Sequence, residues 1–395
     1  MSPRAEFDIA IVGGGLVGLS LAVALMQSGL KLALIEPRSA SIEPQSAAPA
    51  GGWDSRVYAV SPGTASFLEH LGVWQAISPE RVTRVEGMEI YGDDGTARLE
   101  FSAYDAGLRE LAFIVENRLL AQALWRAAAS AAVRVYCPAS CASLHLGPDA
   151  ATLALTDGTE VRARLVVGAD GADSWVRDQA GIAVSPVDYG QLAVVSNFSC
   201  GKPHDGIAYQ WFRRDGVLAL LPLAGNRASM VWSIVRESAE RLLSLSPESL
   251  TAEVGAASHE ALGALSVITP PAAFPLRLQR VARFVMPRVA LIGDAAHNVH
   301  PLAGQGVNLG FRDARVLAAT LSGREARYDC GDHALLRRYE RSRKEDVAAM
   351  QLTTHGLQKL FAVETVWVAR ARNAGLNLVN LQPQIKKFLV RQAVA

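Results

Sequence analysis

The hydrophobic positions at the start of the chain predict a strand, a helix and a second strand. Residues 7–12 form a short apolar run rich in β-branched side chains, as expected for a parallel strand buried on both faces. Residues 16–28 carry apolar side chains at helical spacing, and Gly29 provides a stop signal. Residues 31–35 are again apolar. This order predicts a βαβ unit.

Four strand-like runs in the middle of the chain predict an antiparallel sheet. They cover residues 192–198, 207–212, 217–221 and 228–235, and polar turns separate them. Before them, residues 64–71 and 118–132 show helical spacing, and Asp157-Gly158 signals a hairpin turn ahead of an apolar run at 165–167. Residues 39–54 have no periodicity and are expected to form a loop.

The last part of the chain returns to the first pattern and then becomes helical. Ser246 followed by Pro247 has the cap chemistry of a helix start. Residues 289–292 predict another buried parallel strand, residues 307–321 predict a helix, and the chain from about 331 onward is largely helical. The antiparallel sheet is therefore expected to be inserted into an α/β domain.

Composition narrows the class of protein. Half of the 395 residues are hydrophobic and 19% are charged, which suits about two domains. The four cysteines form no C-x-x-C pair, which gives no sign of a metal site. No apolar run approaches the about 18 residues that a membrane span needs, and no secretory signal is evident. We expect a cytoplasmic protein, with membrane association left open.

Basic residues are concentrated near the C-terminus. The whole chain has a net charge of +1, but from Arg337 onward it has eleven Lys or Arg against four Asp or Glu. Ile385, Phe388 and Leu389 share one side of the last predicted helix. This region predicts contact with a membrane surface or a biosynthetic protein complex, and a solvated basic helix face is the alternative. No nucleic-acid partner is predicted.

The turn between the first strand and the first helix fits the pattern G-x-G-x-x-G. Its first glycine permits a tight turn, its second lets the backbone approach a pyrophosphate, and its third allows close packing of helix and strand. Glu36, at the end of the second strand, can accept a hydrogen bond from a ribose hydroxyl. The pattern predicts dinucleotide binding, with a purely structural turn as the alternative. The cofactor-binding residues predicted here are Gly13, Gly14, Gly15, Leu16, Val17 and Gly18.

Two further acidic turns follow strands. Residues 165–174 read LVVGADGADS, with Asp170 after the strand, and residues 289–297 read VALIGDAAH, with Asp294 after the strand. Residues 300–308 then read HPLAGQGVN. An Asp at the carboxyl end of a strand can reach ribityl hydroxyls, and a glycine-rich turn that opens a helix presents N–H donors to a reduced flavin.

In this order the motifs resemble those of the group A flavoprotein monooxygenases, which have the p-hydroxybenzoate hydroxylase fold. The run HPLAGQGVNLG is similar to that of the ubiquinone-biosynthesis hydroxylases, as are DSR at 54–56 with Ser61, VENR at 115–118 and GLQKLF at 356–361. The resemblance covers nearly the whole chain.

The expected fold class is therefore α/β, in three parts. Residues 1–182 and 275–330 are expected to form a discontinuous FAD-binding domain of the Rossmann-like, glutathione-reductase type. Residues 183–274 are expected to form an antiparallel-sheet substrate domain, with part of 70–115 joining it. Residues 331–395 are expected to form a helical C-terminal region.

The resemblance implies a role for individual residues. The glycine turn would line the FAD pyrophosphate and Glu36 the adenosine ribose. Arg56 and Arg118 would contact the phosphates or the adenosine side, and Asp294 the ribityl or pyrophosphate region. The segment beneath the isoalloxazine would comprise Pro301, Gly304, Gln305, Gly306, Val307 and Asn308.

Asp170 and Arg177 belong to a motif that in this family serves both FAD and nicotinamide binding. For Arg177, as for the other two arginines, an ordinary surface charge is the alternative.

The resemblance also implies the chemistry. NAD(P)H would reduce FAD, O₂ would form a flavin C4a-hydroperoxide, and its distal oxygen would attack an electron-rich aromatic ring. His300 is the candidate catalytic base, and a packed structural histidine is the alternative. The expected substrate is a polyprenylated phenol or quinol intermediate of ubiquinone biosynthesis. Hydroxylation of a small aromatic acid, flavin-dependent reduction of prenyl chains and a non-catalytic scaffold are the alternatives.

Apolar and aromatic side chains on the inserted sheet are candidates for the substrate face, and the core of that domain is their alternative role. Arg213-Arg214 could hold a substrate carboxylate, but Asp215-Gly216 follows directly, so a solvated hairpin turn is expected. The candidates for the substrate face are Val194, Tyr209, Trp211, Leu220, Pro222 and Trp232.

Overall fold

The computed structural model describes residues 6–39, 52–93, 97–130, 133–298, 306–325, 327–362 and 366–394. The strands in these residues are β1 (Phe7–Val12), β2 (Leu32–Ile35), β3 (Val57–Val60), β4 (Thr83–Val85), β5 (Gly87–Tyr91), β6 (Arg98–Ser102), β7 (Ala112–Glu116), β8 (Val133–Tyr136), β9 (Cys141–Leu146), β10 (Ala151–Leu155), β11 (Glu160–Gly168), β12 (Val184–Cys200), β13 (Ile207–Arg213), β14 (Gly216–Leu223), β15 (Arg227–Val235), β16 (Leu265–Val267), β17 (Ala272–Val281), β18 (Val285–Met286), β19 (Val289–Leu291) and β20 (His297–Asn298). The helices are α1 (Leu16–Leu25), α2 (Pro62–His70), α3 (Ala103–Ala106), α4 (Asn117–Ala129), α5 (Trp175–Gln179), α6 (Arg236–Ser244), α7 (Pro247–Ala257), α8 (Gly306–Ser322), α9 (His333–Ala362), α10 (Val366–Asn380) and α11 (Pro383–Val394).

One sheet brings the three strand-end motifs together. Its main strand order is β18-β19-β11-β1-β2-β8, and β1 pairs in parallel with both β2 and β11. Strand β11 pairs in parallel with β19. Parallel strands end at the same edge of a sheet, so the turns that contain Gly13, Asp170 and Asp294 lie along one edge. The unbroken apolar runs of β1 and β2 follow from their burial on both faces.

Helix α1 packs against α8 and α4 beside this sheet. The α-helix ends at Leu25, and a 3₁₀ turn occupies Met26–Ser28 before Gly29. Gly29 has a φ of +72°, a conformation that glycine adopts without strain. The predicted stop signal therefore lies where the helical segment ends.

The second sheet has nine strands, in the main order β20-β17-β12-β15-β14-β13-β5-β6. The four strand-like runs of the sequence are strands β12 to β15, which pair in antiparallel fashion in the order β12-β15-β14-β13. Strand β12 also pairs with β17, and β5 and β6 extend the sheet on the other side. The sheet thus includes Gly87–Tyr91 and Arg98–Ser102 as well as the central segment.

One face of this sheet is covered by α6 and α7 and forms the core of its domain. Pairing places Val194 and Leu218 opposite Trp232, and Trp211 opposite Leu218, so these side chains share that face. They are nearly completely buried. The structure therefore assigns the six candidate substrate-face residues to the domain core, because the pairing also places Tyr209, Leu220 and Pro222 on the covered face.

The opposite face, which we call the inner face, is directed toward the strand-end motifs. Asn197 on this face donates from Nδ2 to the carbonyl oxygen of Asp54 at 2.8 Å. Phe274 pairs with Ala193 on the same face, and its ring centroid lies 5.4 Å from the Arg56 guanidinium. A small sheet of β3, β7 and β4 adjoins the inner face. The inner face carries the apolar residues Ala193, Val195, Phe212, Ala219, Leu221 and Val231 and the buried polar residues Gln210, Ser229 and Ser233.

The C-terminal helices extend across both sheets. Helix α9 packs on α8 and β18, α10 lies along β6, and α11 contacts α10 and α3. Among the helices of the described residues, we find none that combines the length and the apolar character required to cross a bilayer.

Candidate functional site

Backbone atoms leave no room for a side chain at Gly13 and Gly18 of the first motif. Gly13 has a φ of +111°, and an added Cβ would lie 2.3 Å from the carbonyl oxygen of Ala169. A Cβ on Gly18 would lie 2.0 Å from the carbonyl oxygen of Gly13. Both positions need glycine because β1, α1 and the turn after β11 approach so closely.

Gly15 differs because the space around it is open. It is the N-cap residue of α1, and an added Cβ would meet no described atom within 4 Å. No side chain of the described residues caps this helix, so the N–H groups of its first turn are directed at the open space. Such N–H groups, with the positive end of the helix dipole, form an anion site that fits the FAD pyrophosphate.

Glu36 supports the same turn from the end of β2. Its Oε2 accepts a hydrogen bond from the N–H of Gly14 at 2.6 Å, and its Oε1 accepts one from the N–H of Arg38 at 3.0 Å. The residue is only 6% exposed. Because a carboxylate oxygen can accept more than one hydrogen bond, Glu36 can still accept one from a ribose hydroxyl.

Val17 packs against the turn after β19 and against α8. An added Cβ on Gly310 would lie 2.5 Å from its Cγ2, and one on Gly293 would lie 3.2 Å from it. Leu16 is half-buried against the main core. The helix of the first motif therefore contacts the turn of the third motif through the Val17 side chain, and this contact needs glycine opposite it.

Asp294 lies in a 3₁₀ turn, Gly293–Ala295, directly after β19. The residue is accessible to solvent, and protein surrounds its carboxyl group on most sides. This burial raises the pKa of Asp294, while the neighbouring His297 and Arg56 lower it by smaller amounts. The carboxyl group is therefore available to a ligand hydroxyl group, close to a cation.

Asp313, on α8, holds the turn that carries Asp294. Its Oδ2 accepts hydrogen bonds from the N–H of Gly293 at 2.9 Å and from Nε2 of His297 at 2.7 Å. Its Oδ1 accepts one from Nε of Arg343 at 2.7 Å. Burial alone would raise the pKa of Asp313, but His297 and Arg343 outweigh it, and the pKa lies below its ordinary value. The buried carboxylate is therefore ionised and anchors the turn.

Asp54 positions the two predicted arginines. Its Oδ1 accepts a hydrogen bond from the N–H of Arg56, and its Oδ2 accepts one from the N–H of Arg118, both at 3.0 Å. The Arg118 side chain is only 13% exposed, and its Nε is buried without a partner among the described residues. An unpaired buried donor fits an acceptor supplied by a ligand, such as a phosphate oxygen. Arg56 is exposed, and its guanidinium lies 5.4 Å from the Tyr58 ring centroid.

Glu116, at the end of β7, connects these arginines to a third one. It is completely buried, and its Oε1 accepts a hydrogen bond from the N–H of Asp54 at 2.6 Å. Its Oε2 accepts two from Arg81, at 2.9 Å from Nε and 2.6 Å from Nη2. The Arg81 guanidinium lies 4.0 Å from the Trp53 ring centroid. Glu116 therefore fixes the backbone that presents Asp54.

Asn308, near the start of α8, links that helix to β3. Its Oδ1 accepts a hydrogen bond from the N–H of Ser61 at 2.9 Å, and its Nδ2 donates to the carbonyl oxygen of Ala59 at 2.8 Å. The side chain is completely buried. Gly306 and Val307 precede it as the first two residues of α8. Asn308 thus fixes the start of the helix relative to the strand that follows Arg56.

Asp170 caps the short helix after its motif. Its Oδ1 accepts a hydrogen bond from Oγ of Ser174 at 2.5 Å, and its Oδ2 accepts one from the N–H of Val176 at 3.0 Å. Burial raises the pKa of Asp170, and these hydrogen bonds lower it by smaller amounts. Arg177 is 3% exposed and donates from Nη1 to the carbonyl oxygen of Ala172 at 2.8 Å. The surface-charge alternative for Arg177 is therefore wrong, and both residues order the turn.

Comparison with known proteins assigns the chain to a family. The sequence profile of a family described as an FAD-binding domain matches residues 6–354. The chain belongs to this family. The flavoprotein resemblance predicted from the motifs is thereby confirmed, and the open space at Gly15 with the unpaired donor of Arg118 is compatible with the cofactor.

Relatives specify the class of this flavoprotein. This chain is 36% identical over 389 residues to the ubiquinone hydroxylase UbiL of Rhodospirillum rubrum, and the alignment covers 98% of this chain and 89% of the relative. It is 38% identical over 348 residues to the 3-demethoxyubiquinol 3-hydroxylase of Escherichia coli, covering 87% of each chain. PqsL of Pseudomonas aeruginosa, solved in complex with 2-aminobenzoylacetate, has a TM-score of 0.78 at 25% identity and covers 94% of this chain and 99% of its own. The flavoprotein is an FAD-dependent monooxygenase, and its predicted fold class is confirmed.

The structure describes most of the predicted site residues of the flavoprotein. His300, Pro301, Gly304 and Gln305 lie outside the described residues, so the roles predicted for them stay predictions. The others line or support one edge of the first sheet. Arg81, Asp313 and the central role of Glu116 were not predicted from the sequence, although VENR contains Glu116.

Proposed function

We propose that the flavoprotein hydroxylates the aromatic ring of a polyprenylated phenol or quinol intermediate in ubiquinone biosynthesis. Its similarity, at 36% and 38% identity, to proteins named for ubiquinone and demethoxyubiquinol hydroxylation supports this substrate class. The observation that carries the proposal is the group of apolar side chains on the inner face of the nine-stranded sheet, the face that contacts Asp54 and Arg56. A prenylated ring requires such an apolar wall.

The inner face is connected directly to the flavin side. Ala193, Val195 and Val231 come from adjacent strands of the sheet. Asn197 and Phe274, at the end of the same face, contact Asp54 and the Arg56 guanidinium. A ring bound against this face would therefore lie between the sheet and the residues proposed to hold FAD.

We propose the following positions for the cofactor. The N-terminus of α1 at Gly15 would bind the pyrophosphate, Glu36 the adenosine ribose and Asp294 a ribityl hydroxyl. Arg56 and Arg118 would offset the phosphate charge. The bound FAD supplies oxygen activation, whereas the protein orients the ring and excludes water from it. His300 remains the proposed base.

We propose NAD(P)H as the electron donor. The motif of Asp170 and Arg177 supports this, because the resemblance connects it with nicotinamide as well as FAD. Flavin bleaching after rapid mixing with NADH or NADPH, without oxygen, tests the proposal. An unreduced flavin with both nucleotides would contradict it.

We also propose a cytoplasmic location, with the basic C-terminal region in contact with a membrane or a biosynthetic complex. The eleven basic residues from Arg337 onward support this contact. Fractionation of cells at low and high salt tests it, since an electrostatic contact weakens as salt rises.

Quinone intermediates in a strain that lacks the flavoprotein test the proposed reaction. The strain should accumulate a prenylated phenol that lacks one oxygen, as measured by mass spectrometry. Wild type and Glu240→Ala, an exposed carboxylate on α6, should restore the product, and Asp294→Ala should not. A normal quinone profile in a deletion strain without another such hydroxylase would overturn the proposal and favour the small-aromatic-acid alternative.

A further inference from the structure

Large apolar side chains are exposed along the last two helices. In the described part of the chain, Leu378 is 62% exposed, Leu381 75%, Ile385 46% and Leu389 41%. Leu378 lies on α10, Leu381 in the linker, and Ile385 and Leu389 one turn apart on α11. Helices α10 and α11 contact each other, and we call the pair the hairpin. Tyr104, on α3 beside α11, is 89% exposed. We call these five residues the C-terminal apolar patch.

Helix α10 uses its polar side to dock on the protein. Strand β6 is the edge of the nine-stranded sheet. Asn377 Oδ1 accepts a hydrogen bond from the N–H of Arg98 at 3.1 Å, and Asn380 Oδ1 accepts one from the N–H of Glu100 at 3.0 Å. Asn373 adds a bond from Nδ2 to Asp93 Oδ1 at 2.9 Å.

This arrangement reverses the usual orientation of an amphipathic helix. The asparagine side chains satisfy N–H groups that an edge strand would otherwise expose. Leu378 and Leu381 are left on the outward side, where they contribute little to folding. A patch of exposed leucines that the fold does not use is typical of a surface that contacts an apolar partner.

The charge of the hairpin indicates which partner. Helices α10 and α11 contain five Lys or Arg and no Asp or Glu. Lys387 is exposed within two residues of Ile385 and Leu389. An anionic lipid surface has negatively charged headgroups above apolar acyl chains. A helix that lies parallel to such a surface binds it through apolar side chains flanked by basic ones.

We propose that the C-terminal apolar patch docks on the surface of an anionic lipid bilayer, an inference that rests on the proposed function because a polyprenylated substrate resides in lipid. Leu378, Leu381, Ile385 and Leu389 insert at the level of the headgroups, and the exposed Lys387 contacts the headgroup charges. The patch adjoins the β5–β6 edge of the sheet whose inner face is proposed to hold the ring. Docking therefore brings that edge to the membrane.

Vesicle flotation with the full-length, FAD-loaded protein tests this. Wild type should float with vesicles of phosphatidylcholine and phosphatidylglycerol, and less with phosphatidylcholine alone. The double variant Leu381→Glu/Ile385→Glu should lower the partition coefficient by about tenfold or more, and Lys387→Gln by about fivefold on anionic vesicles only. Leu243→Glu, an exposed leucine on α6, is the matched control and should bind as wild type.

Equal flotation of wild type and the double variant would overturn the proposal. So would a change of oligomeric state in the double variant, measured by light scattering, without a change in flotation, because the patch would then be an interface between copies. Hydroxylation of a detergent-dispersed prenylated phenol separates the two proposals. Its absence in wild type would contradict the proposed function, whereas flotation reports on docking alone.

Discussion

Alanine substitutions at Gly15 and Gly18 separate cofactor binding from packing in the first motif. A Cβ on Gly18 would lie 2.0 Å from the carbonyl oxygen of Gly13, whereas a Cβ on Gly15 would meet no described atom within 4 Å. We expect Gly18→Ala to destabilise the flavin-free protein. We expect Gly15→Ala to cost less stability than Gly18→Ala and to weaken FAD binding.

The expected magnitudes follow from the two environments. Alanine in a helix interior gains about 1 kcal/mol over glycine, but overpacking against a backbone atom costs about 1–3 kcal/mol. A contact far below 3.0 Å requires the backbone to move, which places the overpacking cost at the upper end of that range, about 3 kcal/mol. After the offset of about 1 kcal/mol, Gly18→Ala should lower the free energy of unfolding by about 2 kcal/mol. Alanine at the N-cap costs at most about 1 kcal/mol relative to glycine.

The effect of Gly15→Ala on FAD should be larger than its effect on folding. Its methyl group would enter the space proposed for the pyrophosphate and displace at least one charge-assisted hydrogen bond. Such a bond contributes about 1.5–3 kcal/mol, so the dissociation constant should rise about 10- to 100-fold. Gly18→Ala should weaken FAD binding only as far as the turn shifts.

Urea denaturation of the flavin-free proteins, followed by circular dichroism, measures the first quantity. Quenching of flavin fluorescence during titration measures the second. Gly255→Ala is a suitable control, because Gly255 lies inside α7 and an added Cβ there meets nothing within 4 Å. It should stabilise the protein by about 0.5–1 kcal/mol and leave FAD binding unchanged. If Gly15→Ala lost as much stability as Gly18→Ala and bound FAD normally, the assignment of the open space to the cofactor would be refuted.

Three further predictions concern buried charges. Arg343→Met should lower the free energy of unfolding by about 3–5 kcal/mol, because it leaves the buried carboxylate of Asp313 without its guanidinium. Arg312→Met removes two buried nitrogens that have no hydrogen-bond partner in the described part of the chain, so it should cost less than about 1.5 kcal/mol or stabilise the protein. Urea denaturation measures both. Because the pKa of Asp313 is lower in the folded protein, its ionisation stabilises the fold at a pH above the unfolded-state pKa of about 3.9. That stabilisation is lost as the pH falls through the folded-state pKa. In the same assay, the free energy of unfolding of Asp313→Asn should therefore fall less steeply at acid pH than that of wild type. Glu116→Gln should weaken FAD binding about tenfold, because it loosens the paired Arg81 and the loop beside it, as fluorescence titration would show.

Each of these predictions has a contrary outcome. Equal losses for the two arginine variants would mean that Arg312 has a structural partner. If the free energy of unfolding of Asp313→Asn fell at acid pH as steeply as that of wild type, other carboxyl groups would dominate acid unfolding. Glu100→Gln, which removes the charge of a half-exposed carboxylate that also pairs with an arginine, is the control for Glu116→Gln and should bind FAD normally.

The parts of the fold that depend on local patterns could be predicted from the sequence. The run at β1 is apolar throughout because both faces of that strand are buried, and its strand matches residues 7–12. Gly13 and Gly18 allow close packing that follows from the motif spacing alone. Helix α7 begins at Pro247, where the Ser246 side chain accepts a hydrogen bond from the N–H of Ser249, as its cap chemistry suggested.

The parts that depend on distant partners could not be predicted. Alternation along β13 to β15 divides their residues between two faces, but only the position of α6 and α7 decides which face is the core. Asp313 pairs with Arg343, 30 residues away, and Glu116 pairs with Arg81, 35 residues away. Helix α10 docks on the edge strand β6 through Asn377 and Arg98, which are 279 residues apart in the sequence. No periodicity in the sequence encodes such pairings.

Carboxylates hold the loops around the proposed flavin site, and this has an electrostatic consequence. Glu36, Asp54 and Asp313 each accept a hydrogen bond from a backbone N–H of a motif loop. They give those loops a fixed shape, but negative charge near an anionic pyrophosphate opposes its binding. The helix end at α1 and the guanidinium of Arg118 must therefore supply the attraction. Geometry and affinity thus come from residues of opposite charge, so removing a carboxylate can loosen the site even though it reduces repulsion.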